Sequence, residues 1–164
     1  MANPTTDFLV ILRRLREHDV DFIVAGGICA ALHGAPVATF DLDLVHLRTP
    51  DNLRRLLAAL ESLDSRSREP SSRRIKPDTS HLASAGHQLL ITNFGLLDLL
   101  GTIGAGHDYE DLRSQVSEME VAKGLTVLVL NLSTLIKTKE ETGGEKDRAV
   151  LPTLRRTLEE KSKV

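Results

Sequence analysis

Two aspartates, Asp41 and Asp43, stand two residues apart in the stretch ATFDLDLVHL. In an extended strand that spacing sends both side chains to one face. Carboxylates held side by side repel, and burial makes the repulsion worse. A divalent cation resolves the conflict. Magnesium takes hard oxygen ligands in an octahedral shell, a few from protein and the rest from water and phosphate. The pattern therefore suits metal-assisted phosphoryl transfer. It is equally the ordinary composition of a solvated strand face, since carboxylates are commonly exposed. A third carboxylate, Asp98, lies in GLLDLLG. A charge among leucines is costly unless it is paired, hydrogen-bonded or metal-bound.

Upstream of the aspartate pair, VDFIVAGG reads as an apolar strand ending at Gly26 and Gly27. Glycines at such a turn let backbone N–H groups approach a phosphate, and a following helix adds a favourable dipole. The segment lacks the Lys-Ser/Thr pair of a Walker A loop and the third glycine of a dinucleotide fingerprint. A tight turn explains the two glycines as well. Lys139 or Lys137 could reach a phosphate, or lie on a solvated helix face. The six histidines have no cysteine or histidine partners at metal-site spacing. His33 reads as structural, and Cys29, between Ile28 and Ala30, as a small buried residue.

Several elements must position these groups. Phe8, Leu9, Ile11, Leu12 and Leu15 recur at helical spacing, with Asp7 or Thr6 as the cap. ICAALH favours a short helix stopped by Gly34 and Pro36. In the aspartate strand, Phe40, Leu42 and Leu44 are expected on the face opposite the carboxylates. Thr49-Pro50-Asp51 opens a helix with Leu53, Leu56, Leu57 and Leu60 as its apolar stripe. HQLLITNF and GLLDLLGTI read as strands joined near Asn93–Gly95, and QVSEMEV and LTVLVL as a hairpin. LSTLIKTKEE predicts a helix ending at Gly143-Gly144, followed by a last helix with Pro152 as an irregularity.

The chain of 164 residues fits one domain, 1–164, with a core large enough to need no staples. Residues 64–80 are nearly free of apolar side chains and read as a flexible basic linker. Its Arg66, Arg68, Arg73, Arg74 and Lys76 read as a solvated arm rather than an RNA contact, because aromatic residues hardly interleave with them. Aromatic residues make up only 3% of the chain and the net charge is -2, which argues against a general nucleic-acid or anionic-membrane binder. One cysteine excludes an internal disulfide. The N-terminal MANPTTDF does not read as a signal peptide, and no apolar run approaches a bilayer span, so a cytoplasmic protein is expected.

The segment VAGGICAALHGAPVATFDLDLV resembles the nucleotidyltransferase superfamily typified by DNA polymerase beta. There a Gly-Gly or Gly-Ser pair and a short helix precede Asp-x-Asp or Asp-x-Glu. It looks most similar to the bacterial branch that includes the toxins of AbiE-type abortive-infection systems. NFGLLDLLGTI matches the strand of the third carboxylate at Asp98, and LSTLIKTKEETGGEKD matches the closing helix with Lys139, Gly143, Lys146 and Asp147. The resemblance covers most of residues 20–150. It implies an α/β (α+β) fold, a mixed sheet with helices packed mainly on one side. It also implies that Gly26, Gly27 and Lys139 serve a bound NTP, and that Asp41, Asp43 and Asp98 hold two magnesium ions, or manganese in their place. The implied reaction is transfer of a nucleoside monophosphate to a hydroxyl on RNA, a protein or a small molecule. The alternatives are a nucleotide-binding or protein-interaction domain without turnover, and a toxin–antitoxin component working with a protein partner or a second copy of the chain. Pro36, Val37 and Ala38 stand where many relatives carry an arginine.

Overall fold

The structure is a computed structural model and describes residues 6–68 and 75–163. Helix α1 (Phe8–Glu17) buries Ile11, Leu12 and Leu15 and is capped by Asp7, whose side chain accepts from the Val10 N–H. Strand β1 (Phe22–Ala25) is buried along its whole length, so both of its faces are covered. The chain passes directly into helix α2 (Gly26–Leu32), then into strand β2 (Asp41–His46) and helix α3 (Pro50–Ser62). Thr49 caps α3, and Pro50 takes its first turn, where a missing N–H costs nothing.

Strand β3 (Arg66–Ser67) lies within the stretch read from composition as a basic linker, and helix α4 (Thr79–Ala83) starts at its end. Residues 69–74 of that stretch lie outside the described residues. Strands β4 (His87–Thr92) and β5 (Gly95–Leu100) form the expected hairpin. A short helix α5 (Tyr109–Leu112) follows, held by a capping box between Asp108 and Asp111. Then come the hairpin β6 (Val116–Ala122) and β7 (Leu125–Leu130), and helices α6 (Leu132–Thr142) and α7 (Glu145–Ser162). Gly143 ends α6 at φ +65°, and α7 runs through Pro152.

The seven strands make one mixed sheet in the order β3-β4-β5-β2-β1-β7-β6. Helix α1 packs on α3 and β7, while α2 packs on β1, β2 and α6, which in turn packs on α7. The fold class expected from the sequence is the one observed. Leu42 and Leu44 are fully buried, whereas Asp41 and Asp43 between and before them stay partly open. Phe40 departs from expectation. It precedes the strand and is 75% exposed, because the regular pleat starts only at Asp41. Its carbonyl instead accepts a hydrogen bond from the Thr6 hydroxyl at 2.7 Å.

Candidate active site

Strands β2 and β5 run parallel, with Asp43 opposite Asp98. Opposed residues on neighbouring strands share a face, so Asp98 joins Asp43 there, and Asp41 joins by the two-residue period. One carboxylate oxygen from each of Asp41, Asp43 and Asp98 can be chosen so that all lie within 4.8 Å of one another. No other such metal-capable group of three exists among the described residues.

The site's electrostatics follow from that crowding. Burial pushes the Asp43 carboxyl up to about 7, helped by the charge of Asp98, a hydrogen bond with Asp98 and the charge of Asp41. Lys139 acts in the opposite direction. Burial also raises Asp98, which is 8% exposed, and Arg68 opposes that rise by its charge and its hydrogen bond. Arg68 Nη2 donates to Asp98 Oδ1 at 2.6 Å.

The arginine arrives by sheet register. Ser67 pairs with Leu90, and the next backbone N–H, that of Arg68, donates to the Leu89 carbonyl at 2.9 Å. Leu89 in turn lies opposite Asp98 on β5. Arg68, just past β3, therefore continues the lateral row of Leu89, Asp98, Asp43 and Ala25 across β4, β5, β2 and β1. Composition concealed this residue. Five cations crowd residues 66–76, and the pairing of β3 with β4 is what brings Arg68 to Asp98. Arg66 pairs instead with Asp64 at 2.8 Å, so neither arginine of β3's vicinity is a freely solvated side chain.

Gly26 and Gly27 begin α2 against this row. Gly26 has φ +63°, and a Cβ there would stand 2.7 Å from Asp43 Cγ. A Cβ on Gly27 would stand 2.6 Å from Thr39 Oγ1. The glycine pair thus lets the backbone turn into a helix in direct contact with the acidic strand, where side chains would collide. Lys139 on α6 faces a cleft of about 330 Å³ that Gly26, Asp43, Thr138 and Asp147 also line. Its Nζ lies 3.3 Å from Asp147 Oδ1 on α7. The structure therefore gathers Gly26, Asp43 and Lys139 at one cleft, with Asp41 and Asp98 beside Asp43.

His33 and Cys29 lie apart from the acidic trio in the hydrogen-bond network. His33 bridges the Leu130 carbonyl, 2.8 Å from Nε2, and Lys161, whose Nζ is 2.7 Å from Nδ1. Cys29 is buried, and burial pushes its thiol up to about 12, far from a reactive thiolate. No helix among the described residues is long and apolar enough to cross a membrane.

No protein-family profile matches the chain, and no curated protein matches it. Solved structures do. The chain is similar to the crystal structure of a putative nucleotidyltransferase from Thermotoga maritima, with a TM-score of 0.57 and 21% identity. The match covers 93% of this chain and 91% of that one. A likeness of that extent at that identity establishes that the chain shares the fold of that protein.

Proposed function

We propose that the protein is a divalent-metal-dependent nucleotidyltransferase that moves a nucleoside monophosphate from an NTP to a hydroxyl. The observation that carries this reading is the convergence of Asp41, Asp43 and Asp98 within 4.8 Å on a nucleotidyltransferase-type sheet. The donor set fits magnesium or manganese: hard oxygens, crowded beyond what their own charges tolerate, with Asp43 already pushed towards its neutral form. Asp41 and Asp43 would hold metal on the nucleotide side, and Asp98 on the side of the acceptor hydroxyl. Two magnesium ions, when bound, would lower the acceptor's pKa and neutralise charge on the transferring phosphoryl group.

The chain's own groups divide the remaining work. Gly26 and Gly27 give the triphosphate an unobstructed approach to the start of α2, next to Asp43. Lys139 offers a cation to the phosphates from the far wall of the cleft. Asp43, raised by burial and by the neighbouring Asp98, would hold metal as the carboxylate. In the transfer, the acceptor oxygen bonds to the α-phosphorus and the bond from that phosphorus to the bridging oxygen breaks. Pyrophosphate leaves, and the hydroxyl proton passes to solvent.

The acceptor is RNA, a protein or a small hydroxylated compound in the cytoplasm. In the AbiE-type reading the domain is a toxin-like component that works with a protein partner or a second copy of itself. A second reading is a nucleotide-binding domain without turnover, favoured by Pro36, Val37 and Ala38 in place of an arginine. One experiment addresses both. The purified protein is incubated with magnesium, each labelled NTP in turn and a cell extract. Label transferred to an acceptor by wild type and not by Asp43→Asn supports transfer. Magnesium-dependent NTP binding with no labelled acceptor favours the second reading, and no NTP binding at all defeats both.

A further inference from the structure

Arg68, the residue after strand β3, reaches the acidic trio from two strands away from Asp98 in the sheet. Its guanidinium is 2.6 Å from Asp98 Oδ1, and its other terminal nitrogen is 3.4 Å from the Leu90 carbonyl. The pair is shielded: the Asp98 side chain is 12% exposed and that of Arg68 is 26% exposed. A carboxylate at that depth needs a counter-charge, and Arg68 supplies it in the metal-free protein.

We propose that Arg68 is the resident cation of the acidic site, neutralising Asp98 until a divalent ion displaces its influence. The inference rests on the reading of the trio as a metal site. An ion held by all three carboxylates lies against Asp98 and therefore close to the guanidinium. The two cations repel, and they compete for the same carboxylate charge. Arg68 accordingly keeps the empty site stable and lowers its affinity for metal. The opposite role is also well defined. An outer partner that orients a ligating carboxylate raises metal affinity, and its loss typically weakens binding about 10- to 100-fold. The two roles differ in the sign of one measurement.

That measurement is Mn²⁺ titration of the full chain without nucleotide, with free Mn²⁺ read by electron paramagnetic resonance. Wild type, Arg68→Gln and Arg68→Lys are compared. Arg68→Gln is expected to bind Mn²⁺ roughly tenfold tighter than wild type, since one nearby positive charge is gone. Arg68→Lys, which keeps the charge, is expected to stay near wild type. Equal or weaker binding by Arg68→Gln overturns the proposal while leaving the metal site standing. No Mn²⁺ binding by wild type or by Arg68→Gln overturns both. Thermal melts in EDTA give a second reading that survives poor folding of the single variant. Arg68→Gln should melt below wild type, and Arg68→Gln/Asp98→Asn should recover most of the loss. A double variant as unstable as the single one overturns the counter-ion role.

Discussion

The two ends of strand β2 bury polar groups in opposite ways. Beyond its C-terminal end, Asn52 is completely buried, and backbone groups answer both the oxygen and the nitrogen of its amide, with Arg55 Nη2 a further donor to Oδ1 at 3.4 Å. Asn52 accepts from the Asp21 N–H at 2.7 Å and donates to the carbonyls of Asp21 at 3.0 Å and Leu47 at 2.7 Å. The amide staples the start of α3 to the chain on either side of β1 and β2. At the N-terminal end, Asp41 and Asp43 face Asp98, three carboxylates together with Arg68 paired to Asp98. A buried polar group with its bonds filled by backbone serves the fold. Like charges gathered in one place weaken the fold unless something else arrives.

Exchanging the chemistry at each end should therefore have inverted effects. Asp43→Asn keeps the shape and removes one charge. Nucleotidyl transfer from labelled NTP is expected to fall by about 10³-fold or more, the several kcal/mol that metal charge stabilisation supplies. The metal-free melting temperature should hold or rise. A variant that melts much lower yet keeps full transfer would erase the contrast between the two ends.

At the other end, Asn52→Ala removes three hydrogen bonds to backbone and is expected to cost about 3 kcal/mol by denaturant titration. Its Mn²⁺ affinity should match wild type in the folded protein. Gly26→Ala probes the seam where fold meets site. Its positive φ and its contact with Asp43 predict a loss of about 2 kcal/mol. Unlike Asn52→Ala, it should also weaken Mn²⁺ binding, because the added methyl pushes Asp43 out of line.

The smallest effect is a pH dependence at the fold-serving end. His46 Nε2 is 2.7 Å from the Leu82 carbonyl, and burial, with help from Arg48, lowers its pKa below the ordinary value of 6.5. Below pH 6.5 the unfolded chain takes up a proton that the folded one refuses. His46 therefore contributes stability that is present above that pH and is lost as pH falls through it, by at most about 1.4 kcal/mol per pH unit. His33, lowered chiefly by burial, adds a slope of the same sign. His46→Gln should flatten the curve of melting temperature between pH 7 and 5, and an unchanged curve would remove His46 from the account.

The sequence disclosed what depends on neighbours along the chain. Alternation placed Asp41 and Asp43 on one face against buried Leu42 and Leu44, and Thr49-Pro50 marked the start of α3. The β4–β5 turn was legible from Asn93–Gly95. What depends on pairing across long separations was not. Nothing local to Asp98 says that β5 lies parallel to β2 with Asp43 as its opposite number; the resemblance alone suggested the trio. Arg68 was hidden among equivalent cations, and Asn52 stood unnoticed beside a leucine stripe because its partners come from two separate loops. Phe40 was misplaced because alternation gives a period but not the residue at which a strand begins.

The lateral row from Arg68 to Ala25 has a consequence for how the sheet assembles. A shift of β5 by one residue would turn Asp98 to the face of Leu42 and Leu44 and put a leucine beside Asp43. The acidic trio then exists in one alignment of β2 and β5 and in no neighbouring one. Any cation that needs all three carboxylates binds that alignment alone and stabilises it by mass action. The same charges that strain the finished domain thus act, in the presence of metal, as a proofreader of strand registration, rewarding a correctly zipped sheet over one displaced by a single tooth.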